Sequence, residues 1–428
     1  MNIVVVGGGR MGLPLASLMA DNGGQVTVCD INPAVVDTVN AGDCPYEEPH
    51  LGEYIARNVA AGRLNATTDT TGAVKTAEAV VVIVPAWLTP EKDIDYTVLK
   101  EASTAIAKGL QRGALVSYET TVNVSGVRTN LIPVLEQESG MKAGADFSVS
   151  FSPERVKANL VFARLQETPK VVGGFDEESG RKAEELYSKF LGAPVINVGS
   201  LEGAELTKLI GMLYRDVNIA LVNELAAYSE AAGIDFELVR DAANTNGEAH
   251  LLSPGIGVGG HCTPVYPWFV INDARRRGVE QQLATSARHI NDDQPCRNVA
   301  RVAQALGGIE GKRVHIMGLG FRPDVKVDAF STAYPLREAI EQAGASPTIE
   351  DPFYSDAELQ KAGFELARIG KDALDAVILN TAHTAFLDPD FPAWRRTGVT
   401  VALDGRNAWD RVAAEAAGVR YLAIGRPE

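Results

Sequence analysis

Cysteine is scarce. Four residues in 428, Cys29, Cys44, Cys262 and Cys296, are too few and too scattered for a disulfide framework, so a reducing, cytoplasmic setting is expected. Only six histidines occur, and no second and third ligand clusters with His261 and Cys262, so no zinc site is expected. Cationic residues are also short: 40 Lys and Arg stand against 55 Asp and Glu, a formal net charge of −15. That balance argues against a nucleic-acid or anionic-membrane surface, while leaving room for a local basic pocket. Long apolar runs are missing. The longest, Ala79 to Leu88, is too short to cross a bilayer, so no membrane partner is expected. At the N-terminus no basic stretch precedes the apolar Asn2 to Val6, and glycines follow at once, which reads as a strand entering a turn rather than a signal peptide.

What is present is a repeating α/β rhythm. Asn2 to Val6, Gln25 to Cys29 and Ala79 to Val84 are short, β-branched, continuous apolar runs, the mark of strands buried on both faces. Leu13 to Asp21 reads as a helix between the first two, and further strands are predicted at Leu115 to Tyr118, Phe147 to Phe151 and Val171 to Gly173. From Glu202 to Ala232 there is no proline, and apolar residues recur with helical spacing until Gly233. Asp235 to Asn244 and Phe269 to Asp292 also read as helical, on either side of a glycine-rich loop. A second α/β pattern follows, with strands at Arg313 to Met317, Pro347 to Glu350, Ala376 to Leu379 and Val399 to Leu403. The expected fold class is α/β: two Rossmann-like doubly wound domains bridged by a central helical domain containing a long helix. The expected boundaries are 1–200, 201–300 and 301–428.

Three constellations carry chemistry. The first is Gly7-x-Gly9-x-x-Gly12 between a strand and a helix, with Asp30 closing the next strand. Glycine at 7 permits the tight turn, at 9 a close approach to a pyrophosphate, and at 12 close helix–strand packing. An acid at 30 suits a ribose diol and repels a 2′-phosphate, so NAD is favoured over NADP. Gly318-Leu319-Gly320 repeats the theme only superficially: no third glycine follows, and Arg322-Pro323-Asp324 interrupts. The second constellation is the loop Gly255, Gly257, Gly259, Gly260, His261, Cys262. Its glycines allow a ligand close to the backbone, and Cys262 reads either as a nucleophile or as a buried cysteine in a tight turn. The third lies on the long helix, where Glu205, Lys208, Met212 and Arg215 share one stripe. Lys208 reads either as a snorkelling surface lysine or as a partly desolvated cation acting on an oxyanion. Glu154, Glu119-Thr120-Thr121 and His383 are further polar groups at strand ends, where open α/β sheets bind ligands, though exposed loops explain them equally.

Taken together, Gly7-Gly-Gly-Arg-Met-Gly-Leu-Pro-Leu-Ala16, Val84-Pro85, Thr120-Thr121-Val122, Phe151-Ser-Pro-Glu-Arg-Val156, Ala204-Glu-Leu-Thr-Lys208, Asn223-Glu224, Gly257-Val-Gly-Gly-His-Cys262, Gly318-Leu-Gly-Phe-Arg-Pro-Asp324, Asp351-Pro352 and Asp404-Gly-Arg-Asn407 resemble the nucleotide-sugar 6-dehydrogenase family. The form of the motifs, with Pro267-Trp268-Phe269, is most similar to the branch acting on UDP-N-acetylhexosamines. The resemblance implies an NAD domain, a helical centre used for homodimerisation, and a C-terminal domain for the nucleotide diphosphate sugar. It implies Cys262, Lys208, Glu154 and Thr121 as catalytic residues. Gly7, Gly9, Arg10, Met11, Gly12, Asp30, Pro85 and Thr121 would hold the cofactor. Arg155, Lys208, Gly257, Gly259, Gly260, Arg322 and Arg406 would hold the substrate. The chain departs from the family pattern at four places. Met212 replaces an asparagine four residues after the lysine, and Tyr266 an aspartate four residues after the cysteine. No Arg or Lys occurs between Asp241 and Ala274, where an arginine is usual, and Ala329 stands where another is expected.

Overall fold

The computed structural model describes residues 1–156 and 160–427. They divide into two compact units, Met1–Gly211 with Trp268–Arg277, and Met212–Pro267 with Gly278–Glu428. Where the sequence suggests three segments, compactness thus draws two, and the dividing point falls inside the long helix.

The first unit is built on the strands β1 (Asn2–Val6), β2 (Gln25–Cys29), β3 (Leu64–Thr67), β4 (Ala79–Val82), β7 (Leu115–Tyr118), β8 (Ser148–Phe151), β9 (Lys170–Gly174) and β10 (Val195–Asn197). They form one sheet in the order β10-β9-β8-β7-β4-β1-β2-β3, and β5 (Trp87–Leu88) pairs with β6 (Ile94–Asp95) as a separate antiparallel ribbon. The central strands are parallel, as their unbroken apolar composition predicts, whereas β9 runs antiparallel to β8. The core joins Ile3, Val5, Val26, Val28 and Val81 of the sheet to Leu13, Leu15, Leu18 and Met19 of the helix Gly12–Asp21, with Leu186, Tyr187 and Phe190 from the helix Glu177–Leu191.

In the second unit, β11 (Arg313–Met317), β12 (Ser346–Glu350), β13 (Glu365–Leu366), β14 (Ala376–Leu379), β15 (Val401–Asp404) and β16 (Arg420–Ala423) form an all-parallel sheet in the order β13-β12-β11-β14-β15-β16. This is the 3-2-1-4-5-6 arrangement of a Rossmann fold. One face of that sheet packs Ile316, Ile349, Ile378 and Leu403 against Val222 and Ala226 of the long helix and Val299 and Val302 of the helix Gln282–Leu306. The other face buries Trp394 and Trp409, whose ring centroids lie 5.2 Å apart.

The long helix spans Leu201–Ala232, 32 residues, and ends where Gly233 takes a φ of +73°. At about 1.5 Å per residue it is roughly 48 Å long. The single helix expected over Phe269 to Asp292 is instead two, Tyr266–Arg276 and Gln282–Leu306. Gly278, with a φ of +75°, is in the left-handed region that stops the first of them.

Candidate active site

In the first unit the strand order reverses between β1 and β4, and the turn Gly7 to Gly12 leaves β1 at that switch point. Gly7 has a φ of +112°, and a Cβ there would stand 2.7 Å from the Ile83 carbonyl oxygen. A Cβ on Gly12 would collide with the Gly7 carbonyl oxygen. At Gly9 a Cβ would meet nothing within 4 Å, so that space is left open by the protein. The helix Gly12–Asp21 begins at Met11 without a side-chain cap, leaving its N-terminal dipole to an outside anion. Asp30 accepts from the backbone N–H of Gly8 (2.9 Å, Oδ2) and of Asn32 (2.8 Å, Oδ1). Each oxygen keeps a further lone pair, and the side chain is half-buried at the mouth of the turn. These residues fit a dinucleotide with an unphosphorylated ribose. Arg10 is exposed, its guanidinium 5.9 Å from the ring centroid of Tyr46. Pro85 lies in the loop after β4, which Thr120 ties to the loop after β7 by donating its hydroxyl to Val84 O at 2.5 Å. The adjoining Thr121 is buried.

Lys208, for which a surface position was the plainer reading, is 7% exposed. Its Nζ donates to the Glu154 carbonyl oxygen at 2.5 Å, so the structure brings these two candidates together in one unit. Glu154 follows β8, and its carboxylate accepts from the Val156 N–H. Burial pushes the Glu154 carboxyl above its usual range, against the opposing charges of Lys208 and Lys170. Arg155 turns a guanidinium N–H onto the Pro169 carbonyl, and burial lowers its pKa. On the same stripe as Lys208, Glu205 is fully buried and accepts from Ser125 N at 2.6 Å and Val127 N at 2.9 Å, clamping the loop after β7. Desolvation raises this carboxyl to about 8 despite those donors.

Sequence reasoning missed a second buried group beside Glu154. Lys170, the first residue of β9, pairs with Glu119 at 2.7 Å, and both are nearly inaccessible. The Tyr187 hydroxyl donates to the other Glu119 oxygen at 2.7 Å and meets the Ser117 hydroxyl at 2.9 Å. Glu119 was visible as a strand-end acid, but its partners lie 51 and 68 residues away and nothing local announces them.

In the second unit the glycine loop lies against the switch point between β11 and β14. A Cβ on Gly257 would stand 2.5 Å from Thr332 Cγ2, and one on Gly259 would stand 2.7 Å from Phe321 Cβ. One on Gly260 would stand 2.8 Å from the Phe321 ring, and the Gly260 N–H is already given to Ala329 O at 2.9 Å. The space read as room for a ligand at these glycines is therefore taken by the chain's own Phe321 and Thr332. Gly255 is held from beneath: its N–H donates to Asn223 Oδ1 at 3.0 Å, Asn223 donates to Asn291 at 2.9 Å, and Asn291 donates to Asp216 Oδ1 at 2.9 Å. Asp216 in turn pairs with buried Arg288 at 2.6 Å, and desolvation raises its carboxyl to about 6. Cys262 is half-buried, and its carbonyl accepts from Tyr266 N at 2.9 Å as the next helix begins. Arg406 donates Nε to Asn380 O at 2.6 Å, feels the charge of Asp404 without a close ion pair to it among the described residues, and places Nη1 3.3 Å from where a Gly255 Cβ would be. Burial lowers its pKa to about 10. Arg322 is half-buried in the loop after β11.

The counterpart of Asp30 in this unit is Asp351, at the end of β12. It is enclosed by Leu319 N (2.7 Å), Gly320 N (3.0 Å), Phe353 N (2.8 Å) and His383 Nε2 (3.1 Å). Because His383 Nδ1 accepts from Asp324 N at 2.9 Å, its proton sits on Nε2 and points at Asp351. His383 is thus a fully buried brace for the loop, and the Asp351 side chain is inaccessible to a ribose.

A dinucleotide turn with an acid suited to NAD, on a fold with a second Rossmann-like sheet of different use, makes this an NAD-dependent dehydrogenase. The chain belongs to the UDP-glucose/GDP-mannose dehydrogenase family: the family's NAD binding domain matches residues 1–191, its central domain 202–293 and its UDP binding domain 315–411. It is 31% identical, over 95% of this chain and 96% of the relative, to an NDP-N-acetyl-D-galactosaminuronic acid dehydrogenase of Ralstonia solanacearum. It is 32% identical to a UDP-N-acetyl-D-mannosamine dehydrogenase of Escherichia coli K12, over 81% of this chain and 84% of the relative. A solved UDP-N-acetyl-D-mannosamine dehydrogenase from Pyrococcus horikoshii superposes with a TM-score of 0.89 at 27% identity, covering 100% of this chain and 99% of that one. These relatives are the UDP-N-acetylhexosamine branch that the motifs resemble. No helix among the described residues is long and apolar enough to cross a membrane.

Proposed function

We propose that the protein oxidises the C6 hydroxymethyl group of a UDP-N-acetylhexosamine, or a closely related UDP-hexose, to the carboxylate. The observation that carries this reading is the burial of Lys208 against Glu154 at the carboxyl ends of the NAD-binding sheet, in a chain whose relatives act on such substrates. The Gly7–Gly12 turn and Asp30 would hold NAD, which would supply the hydride acceptor, one molecule being consumed in each of the two oxidations. Lys208 stabilises the oxygen on C6 as it gains negative charge. Cys262 adds its thiolate to the aldehyde carbon, giving a thiohemiacetal that becomes a thioester on the second oxidation. Glu154 takes a proton from the water that cleaves the thioester, which frees the carboxylate and regenerates the thiol. Arg322 and Arg406 carry the diphosphate, Arg155 supports the substrate, and Thr121 lines the cofactor side. Gly257, Gly259 and Gly260 contribute by letting the loop close over Phe321 and Thr332.

The protein works as a homodimer in the cytoplasm. Leu206, Ile210, Tyr214, Leu221 and Tyr228 stand exposed along the long helix and supply the apolar surface for a second copy. The scarcity and scatter of the four cysteines support a reducing compartment.

A panel of UDP-, GDP- and dTDP-sugars, followed by NADH absorbance and product mass, tests the substrate. Turnover of a UDP-N-acetylhexosamine to its uronic acid is expected. Because Tyr266 brings no fixed negative charge to the hydrolytic step, a burst of NADH and a covalent sugar adduct on the intact protein are expected as well. Cys262→Ser abolishes the adduct and strongly impairs the second oxidation. A variant that still makes carboxylate at the parent rate overturns the thioester route. A parent that yields only aldehyde ends the four-electron reading. No turnover on any sugar, with retained binding, marks a nucleotide-sugar-binding protein on a dehydrogenase scaffold.

A further inference from the structure

The buried pair Glu119–Lys170 has no part in the chemistry assigned above, yet it occupies the same end of the sheet as Glu154. Glu119 follows β7 and Glu154 follows β8. Because β9 runs against β8, its first residue, Lys170, comes to this end rather than the opposite one. The pair is nearly inaccessible: Lys170 lies 2.7 Å from Glu119 and 4.8 Å from the Tyr187 ring centroid, and Tyr187 donates to the remaining Glu119 oxygen. Two opposite charges cost desolvation free energy here, where an apolar pair of similar volume would pack without that cost.

A small pocket of about 20 Å³ is lined by Glu154, Lys170, Arg155 and Arg164 among others. That is room for about one water, in a pocket that Glu154 and Lys170 both line. Among the described residues, the charges that act on Glu154 are Lys208 from the long helix, Lys170 from β9, Glu119 behind it and the neighbouring Arg155, and Arg164 lines the same pocket. Of these, Arg155 is turned onto Pro169 O.

We propose that Glu119 and Lys170 are positioning residues for Glu154, a buried ion pair whose two charges fix the field in which that carboxyl gains and loses its proton. The proposal rests on the reading of Glu154 as proton acceptor. Lys170 favours the Glu154 carboxylate across the shared cavity, and Glu119 moderates that influence from behind. The direction of each effect on the Glu154 carboxyl agrees: Lys170 lowers its pKa and Glu119 raises it.

The test is the pH dependence of kcat for Glu119→Gln, Lys170→Met and the double variant in the full-length protein with NAD and its sugar substrate. Glu119→Gln leaves Lys170 unopposed, and the acid limb moves to lower pH by about one unit. Lys170→Met removes the favourable charge, and the limb moves to higher pH. The double variant, with neither charge buried and unpaired, folds at least as well as the singles and has a limb between theirs. A purely structural pair lowers kcat in both singles without opposite shifts, and that outcome overturns the proposal. Glu154→Gln separates the two readings. If it leaves the acid limb in place, the limb belongs to another group and the assignment of Glu154 fails. If it abolishes the limb, while the pair variants leave the limb where the parent has it, the positioning role alone fails.

Discussion

Two glycines in one turn answer to different masters, and substitution separates them. Gly12→Ala forces a methyl against the Gly7 carbonyl and the Ile83 side chain, and overpacking of this kind costs about 1–3 kcal/mol. Thermal melting should show it without any ligand. Gly9→Ala meets nothing in the protein, so its melt should match the parent, while calorimetry shows NAD binding weakened about tenfold or more as the methyl takes pyrophosphate space. An unchanged NAD affinity in Gly9→Ala removes the cofactor from this turn. Glu205 gives a second expectation. Its folded carboxyl is raised to about 8, so between the unfolded value near 4.5 and that point the folded state holds a proton which the unfolded chain has released. Stability therefore falls as pH rises through this window, by at most about 1.4 kcal/mol per unit from this group. Urea melts at pH 5, 6, 7 and 8 should show the decline in the parent and a flatter profile in Glu205→Gln; parallel profiles contradict it. The glycine turn and Asp30 were legible because their partners are near in sequence and the motif is local. The burial of Lys208 and Glu205 was not, since helical spacing shows which residues share a stripe but not what covers it.

At the scale of elements, periodicity served well where an element is long or buried on all sides. The long helix begins at Leu201, one residue before its expected start, and Leu115–Tyr118, Arg313–Met317 and Ala376–Leu379 fall where apolar runs placed them. Short or irregular pieces escaped. The β5–β6 ribbon has two residues per strand, and the π-helical turn Val127–Leu131 is held by Glu205, which accepts from the N–H of its first residue, Val127, and from that of Ser125 before it, 78 and 80 residues away. The reversal of β9 was invisible too, because burial on both faces gives the same composition to parallel and antiparallel strands. For the long helix the exposed Tyr214 and Tyr228, 54% and 69% accessible, lead to a direct expectation. Light scattering at micromolar concentration should give about twice the 45.6 kDa chain for the parent. Replacing both tyrosines with glutamate should return the mass of a single chain with a native circular-dichroism spectrum. A parent that is already monomeric removes the helix from any interface.

On the scale of the molecule, two sheets that share a six-strand 3-2-1-4-5-6 order carry two acids at the same station, the end of the second strand, facing the first glycine turn. The sequence showed both turns and could tell from the missing third glycine that they differ, but the manner of the difference lies in hydrogen bonds that span 31 to 32 residues. Asp30 spends one oxygen on each of two N–H groups and keeps an outward side; Asp351 is walled in by three N–H groups and an imidazole. One architecture has thus been used once as a socket and once as a keystone. The two halves should then fail differently when the same edit is made in each. Asp30→Asn can keep its oxygen on the Gly8 N–H and leave only the exposed Asn32 N–H to water, so it should melt close to the parent and lose much of its preference for NAD over NADP. Asp351→Asn turns a charge-assisted acceptor toward donors it can only half satisfy, at a cost of about 1–3 kcal/mol, and should lower the melting temperature while leaving NAD affinity untouched. A protein that carries its own control in this way lets ligand recognition and folding be read from a single matched pair of substitutions.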